Sequence, residues 1–187
     1  MKMIKQLREE VNKCQKCSLY KDKTKYVFGE GSDTADIMFI GEAPGAQEDK
    51  TGVPFCGRSG EILNELLESI HLNRGDIFIC NILKCRPSQN RNPRPNEITA
   101  CTPFLDKQIE MINPNIICCL GNFATKFVME KFGLHNKVDG ISKLHGKVFK
   151  ISLLTGVLKI VPLYHPAVAT YNPDMKRFML EDIKVLK

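Results

Sequence analysis

Three short, unbroken apolar runs constrain this chain more than any other feature: Ile37–Ile40, the centre of "DIFICNIL" (Asp76–Leu83) and "NIICCLG" (Asn115–Gly121). Each is too short for a buried helix and lacks the polar alternation of a half-solvated strand. They therefore read as strands covered on both faces. Helix-period segments follow them. "SGEILNELLESI" places Ile62, Leu63, Leu66, Leu67 and Ile70 on one face, with Glu61 favouring the N-terminal end of the dipole. "NEITACTPFLDKQIEMI" reads as a helix capped by Asn96 and disturbed at Pro103. "NFATKFVMEKF" is the third. "GKVFKISLLTGVLKIVPLYHP" reads as a hairpin whose last strand ends at His165, and "NPDMKRFMLEDIKVL" as a closing helix with Asn172 as cap and Pro173 in its first turn. Ile4, Leu7 and Val11 mark a short amphipathic helix at the start. Strand alternating with helix predicts an α/β fold, a parallel sheet with helices on both faces.

In such a sheet, ligands bind beyond the carboxyl ends of the strands. Three segments converge there: the turn "GEAPG" (Gly41–Gly45), Asn81 and His165-Pro166. The turn opens a glycine-rich loop that carries Phe55. A loop phenylalanine can cover the core or offer a stacking platform to a planar ligand. Asn81, inside an apolar strand, can be a structural amide, or can present a donor and an acceptor together to a ligand edge. His165 can donate to developing negative charge. Together the three read as recognition of a planar heterocycle. His71, His135 and His145 show no such convergence and are expected at the surface.

The chain of 187 residues suits one domain with a substantial core. Lys plus Arg outnumber Asp plus Glu by 27 to 21, a basic excess that permits a polyanionic partner. No stretch is long and apolar enough to span a membrane, and the charged start "MKMIKQLREEVNKC" is not a secretory signal, so an intracellular, cytoplasmic protein is expected. Eight cysteines in such a chain point to metal binding or buried thiols rather than disulfides. Cys80, Cys118 and Cys119 lie in apolar strands and read as inert thiols. Cys14 and Cys17, a CxxC pair, and Cys85 and Cys101, in polar surroundings, read as one four-thiolate site. Its ligand set suits zinc or an iron–sulfur cluster equally.

The blocks "GEAPGAQEDKTGVPFCGRSGEILNELL", "NILKCRPSQNRNPRPNE" and "YHPA", with the four cysteines, resemble the family 4 uracil-DNA glycosylases, and the resemblance spans nearly the whole chain. It implies a single domain over residues 1–187, a three-layer α/β/α sandwich around a central, mainly parallel four-stranded sheet. It implies a 4Fe-4S cluster on Cys14, Cys17, Cys85 and Cys101 that ties the N-terminal segment to the middle of the chain. The implied reaction is excision of uracil from double- or single-stranded DNA as the free base, leaving an abasic site. A cluster-bearing DNA-binding protein of the same fold without activity is the alternative. Monomer is the expected state, and a replication clamp a candidate partner.

Carried onto this sequence, Phe55 stacks on the flipped base, Asn81 reads its edge, and Glu48 stands as a wall against the thymine methyl. Gly41, Ala43 and Gly45 form the pocket floor, with Asn90 as a further contact. His165 stabilises the departing uracil anion, helped by backbone N–H groups near Glu42, and Glu42 assists the water or the sugar cation. Lys84, Arg86, Arg91 and Arg94 are expected at phosphates, with Pro166 and Val168 in the loop that enters the minor groove and Val168 as its wedge. The wider superfamily has an Asp where this chain has Ala43, so that means of orienting water is missing. "CRPSQNRNPRPNEITAC" contains no His, and turnover rather than covalent capture of the abasic sugar is expected.

Overall fold

The computed structural model describes residues 2–154 and 156–187; Met1 and Thr155, the latter in the turn of the expected hairpin, lie outside them. The strands are β1 (Glu30–Gly31), β2 (Ile37–Gly41), β3 (Phe78–Asn81), β4 (Ile116–Leu120), β5 (Phe149–Leu153) and β6 (Gly156–Leu163). The α-helices are α1 (Lys2–Asn12), α2 (Ala46–Thr51), α3 (Arg58–Ser69), α4 (Pro95–Ile112), α5 (Gly121–Lys131), α6 (Ile141–Leu144), α7 (Ala167–Tyr171) and α8 (Met175–Asp182).

The sheet has six strands, not four, in the order β1-β3-β2-β4-β6-β5. The four central strands are parallel, while β1 and β5 add antiparallel edges. The extra strands have local causes. β1 is a two-residue pairing of Glu30 and Gly31 with Ile79 and Phe78, too short to show a period. β5 is the first arm of the expected hairpin.

Alternate strand residues feed two cores, as the pleat requires. Met38, Ile40, Phe78, Cys80, Ile117 and Cys119 pack with Leu7 and Val11 of α1, Leu105 of α4 and Val128 of α5. Phe39, Ile79, Cys118, Leu120, Val161 and Leu163 pack with Leu63 and Leu67 of α3 and Met179 of α8. Helices thus cover both faces, giving the α/β/α sandwich. Among the described residues, no helix is long and apolar enough to cross a membrane.

Two helix starts differ from expectation. The cap of α4 is Arg94, with Pro95 at the first helical position and Glu97 accepting from the Arg94 N–H at 2.8 Å; Asn96 lies inside the first turn. A three-residue reciprocal bond here outcompetes a single Asn cap. Pro103 does not interrupt α4, because Phe104, Leu105 and Ile112 anchor that helix in the core. Asn172 accepts from the Asp174 N–H at 3.2 Å and so caps a turn before α8, which begins at Met175.

Candidate functional site

β2 and β3 run parallel with Gly41 directly opposite Asn81. A Cβ built on Gly41 would lie 2.3 Å from Asn81 Oδ1 and 2.9 Å from Phe55 Cζ. The bare Cα therefore lets the amide and the ring pack directly over the strand end. Phe55 is buried, not exposed as its glycine-rich loop suggests, and its φ of 49° lies in the left-handed region. That conformation costs an ordinary residue roughly 1 kcal/mol or more. It is held by Gly60, whose Cβ, if present, would overlap the Phe55 carbonyl oxygen.

Asn81 is 1% exposed, and its Nδ2 donates to Glu48 Oε2 at 2.8 Å. While Glu48 is ionised it only accepts, so the bond then fixes which side of the amide carries NH₂. Oδ1 and the second N–H are left to face a ligand. Glu48 stands in the first turn of α2, capped by Gly45. Burial pushes its carboxyl up to about 7, against bonds from Asn81 and from the backbone at Phe55 and Gly45. Glu48 is thus first of all the partner of the Asn81 amide, a role its sequence context does not reveal.

His165 follows β6, and its ring lies 5.6 Å from that of Phe55. Nδ1 accepts from the Ala167 N–H at 3.1 Å, which puts the ring proton on Nε2. Burial lowers its pKa to about 4, so the neutral ring donates through Nε2–H near neutral pH. Gly121, at φ +88° after β4, lets His165 approach: a Cβ there would meet His165 Cβ at 3.1 Å. The ends of β2, β3 and β6 therefore assemble one site. Burial raises the carboxyl of half-buried Glu42, which follows β2. Ala43 packs against the core, an apolar contact and nothing more.

An open cleft of about 480 Å³ borders this site, lined among others by Gly45, Glu48, Arg58, Gly60, Ala167 and Tyr171. It brings the loop after β2 opposite α7. Tyr171 is 88% exposed at its rim, whereas Val168 is half-buried and packed on the core. Pro166 is buried as the cap of α7.

Other expected contacts fall elsewhere. Lys84 is not at a phosphate-binding surface: it is 1% exposed, and Nζ donates to the Asn81 carbonyl and to Gln108 Oε1, each at 2.6 Å. The lysine lies in an apolar run with its stem among core residues, which the adjacent cysteine motif conceals. Arg91 makes a bidentate pair with buried Glu97 at 2.9 and 2.5 Å and fixes the loop before α4. Asn90 is exposed and accepts from Arg86 Nε at 2.8 Å; none of its bonds reaches the Asn81 pocket. His145 is not at the free surface. Its Nδ1 is bonded to Asp182 at 2.8 Å and its ring lies 4.5 Å from Tyr164, so it links the C-terminal helix to the residue before His165.

Cys14, Cys17, Cys85 and Cys101 line one small cavity, about 10 Å³, together with Val11, Tyr26 and Phe104. Burial holds the Cys85 thiol far above its ordinary value and raises Cys101 to about 11, with the Lys84 charge acting against that rise. Among the described residues, no three His, Cys, Asp or Glu side chains converge as ligands of a single metal ion. The cavity nonetheless brings four soft donors to one place, a donor set that suits zinc or an iron–sulfur cluster. Cys118 and Cys119 are buried on opposite faces of β4, with thiol pKa values raised by burial, as inert core thiols.

The uracil DNA glycosylase superfamily profile matches residues 28–187. The chain is 42% identical over 184 residues to the type-4 uracil-DNA glycosylase of Archaeoglobus fulgidus, covering 98% of this chain and 92% of that one. It is 43% identical to the type-4 uracil-DNA glycosylase of Thermotoga maritima, covering 96% and 90%. The protein of the same name from Sulfurisphaera tokodaii is 43% identical, covering 100% and 84%.

Proposed function

The chain belongs to the uracil-DNA glycosylase superfamily, and from that premise we propose how its own residues carry out the family's reaction. It is a DNA-repair enzyme that excises uracil from DNA and leaves an abasic site. The observation that carries the residue assignments is the Asn81 amide fixed by Glu48 at 2.8 Å, beside Phe55 and His165.

A base stacked in a duplex is out of reach, so uracil is flipped into the pocket at a cost of a few kcal/mol. There Phe55 underlies the ring. Asn81 Oδ1 accepts from uracil N3–H while Nδ2 donates to O4. Cytosine presents the reverse pattern and leaves both groups mispaired, at roughly 1–3 kcal/mol each. Glu48 fixes the amide and also occupies space that a thymine methyl would need.

Breaking the bond between C1′ and N1 leaves the electron pair on uracil, largely at O2, and a cationic sugar. His165 Nε2–H donates to that oxygen, a contribution of ~2.7–4 kcal/mol where single donors of this kind have been removed. Water adds to C1′ and passes its proton to Glu42, whose raised pKa strengthens it as a base. With Ala43 beside it, no second carboxylate shares that task.

At the DNA surface, exposed Tyr171 is better placed than Val168 to fill the vacated stack. Arg58, which lines the cleft, and Arg86 are the basic groups assigned to phosphates. Cys14, Cys17, Cys85 and Cys101 hold a 4Fe-4S cluster, which when bound supplies a four-bond cross-link between α1, the loop after β3 and α4. A DNA substrate places the enzyme's work inside the cell.

The test is a uracil-containing oligonucleotide incubated with enzyme and then treated with alkali. Strand scission by wild type, strongly reduced in Asn81→Ala and His165→Ala, is expected. No scission at any enzyme level would leave a DNA-binding protein without activity. Glu42→Gln should slow the single-turnover rate, and a full rate would remove Glu42 from the mechanism.

A further inference from the structure

Lys84 is a fully buried lysine, and among the described residues no carboxylate lies within ion-pair distance of it. Both acceptors of its ammonium are neutral: the Asn81 carbonyl and Gln108 Oε1, each at 2.6 Å. Gln108 is itself buried and donates from Nε2 to the Phe28 carbonyl at 2.9 Å, so its oxygen is turned toward the lysine by a fixed bond. A buried ammonium without a counter-charge is costly, and such groups persist where an opposite charge is close. Lys84 lines the cavity of the four cysteines, and its backbone N–H donates to Cys101 Sγ at 3.3 Å. Four thiolates around an iron–sulfur core carry net negative charge. That charge is the missing partner.

We propose that Lys84 is the buried counter-charge of the group held by Cys14, Cys17, Cys85 and Cys101, and that its bond to the Asn81 carbonyl makes it a positioning residue for the uracil-reading amide. The inference rests on the reading of those cysteines as cluster ligands. Its physical content is a two-ended strap. One end, the main-chain N–H, bonds a ligand sulfur. The other, the ammonium, bonds the backbone of the residue that reads the base. The strap is drawn tight by attraction between the ammonium and the anionic cluster, so Asn81 sits on a strand end anchored by charge as well as by the sheet.

Reduction adds negative charge to a cluster, and a nearby cation stabilises the reduced form more than the oxidised one. Removing the cation must therefore lower the midpoint potential. The experiment is a spectroscopically monitored redox titration, without DNA, of the iron-loaded wild type, Lys84→Met, Lys84→Arg and Gln108→Glu. Lys84→Met should show a lower potential, and Lys84→Arg, which keeps the charge, a value near wild type. Gln108→Glu sets a carboxylate beside the ammonium and should lower the potential with the lysine in place; it decides the matter if Lys84→Met does not fold. On a uracil-containing oligonucleotide, Lys84→Met should raise KM several-fold with a smaller change in kcat. Iron-loaded Lys84→Met and Gln108→Glu with unmoved potentials would overturn the proposal and leave the glycosylase assignment standing. A wild-type protein without iron and sulfide would overturn the cluster reading and this inference together.

Discussion

Replacing Glu48 by glutamine changes one atom's chemistry and leaves the pocket's shape nearly intact. In the wild type, Glu48 Oε2 accepts from Asn81 Nδ2 at 2.8 Å, and an amide flipped by 180° would turn Asn81 Oδ1 against a carboxylate. A glutamine at this position can turn its own amide in concert and satisfy either orientation of Asn81. The flipped form opposes N–H to uracil N3–H and oxygen to O4. Two mispaired groups cost about 1–3 kcal/mol each, so the correctly oriented wild-type amide favours uracil over cytosine by roughly 2–6 kcal/mol, about 30-fold to 10⁴-fold. With both orientations open, uracil still finds its matching half. Its rate should fall only about tenfold, from that partition and from exchanging a charge-assisted bond for a neutral one. Most of the discrimination against cytosine should vanish. Thymine should still be refused, because glutamine fills the same space, whereas Glu48→Ala should admit it. The assay is single-turnover excision from single-stranded oligonucleotides carrying uracil, cytosine or thymine, which removes the cost of opening a base pair. If Glu48→Gln excludes cytosine as strongly as the wild type, the carboxylate does not hold the amide and the recognition argument fails.

The same carboxyl gives a pH signature: with Glu48 at about 7 and His165 at about 4, kcat/KM on uracil should drop to a plateau about tenfold lower, the Glu48→Gln level, as pH falls through about 7, and fall again near pH 4. Because the raised folded pKa of Glu48 favours its protonated form, its contribution to stability is present below its ordinary value of 4.5 and is lost as pH rises through about 7. Glu48→Gln should therefore gain stability relative to wild type over that interval, and parallel denaturation curves across it would contradict the burial of this group. His165 has the opposite sign, its contribution being present above 6.5 and lost as pH falls toward about 4. Gly41→Ala should leave a folded protein but displace Asn81 and Phe55, since the new Cβ falls 2.3 Å from Asn81 Oδ1; a misplacement on the order of 1 Å costs about 100-fold in rate, and near-normal excision would show that the two groups need not sit over the strand end. Tyr171→Ala should weaken binding to uracil-containing duplex roughly 5- to 150-fold, the equivalent of one stacked base at about 1–3 kcal/mol, while Val168→Ala should lower the melting temperature instead; the reverse pattern in a filter-binding and thermal-melt pair would restore Val168 as the wedge. Cys101→Ser should lower bound iron and loosen α4 from α1, read as faster amide exchange in both helices; unchanged iron would remove Cys101 from the ligand set.

Periodicity and run length made the four parallel strands and their covering helices readable, because a strand buried on both faces leaves an unmistakable apolar run. Edge strand β1 left no such mark, since two residues carry no period. The helix starts of α4 and α8 differ from the sequence pattern for a related reason: a cap is chosen by competition among neighbouring bonds, and Asn96 and Asn172 lose to Arg94–Glu97 and to a local turn.

The chain order of strand-end residues determined which side chains reach one edge of the sheet, and so Phe55, Asn81 and His165 stand out as a set before any coordinates. What each group does there depends on burial and on partners far away in sequence, which only the tertiary structure supplies. Glu48 lies 33 residues from the amide it fixes. Lys84, one residue from Cys85, reads as a loop cation beside other basic residues, yet its burial and its bonds to Asn81, Gln108 and Cys101 remove it from DNA altogether. Val168 and Tyr171 are three residues apart and share a helical face, yet Val168 packs on the core while Tyr171, the last residue of α7, is exposed at the cleft. The sequence carries the chemistry of its side chains and their order; exposure, pairing and protonation state arise only when distant segments close around them.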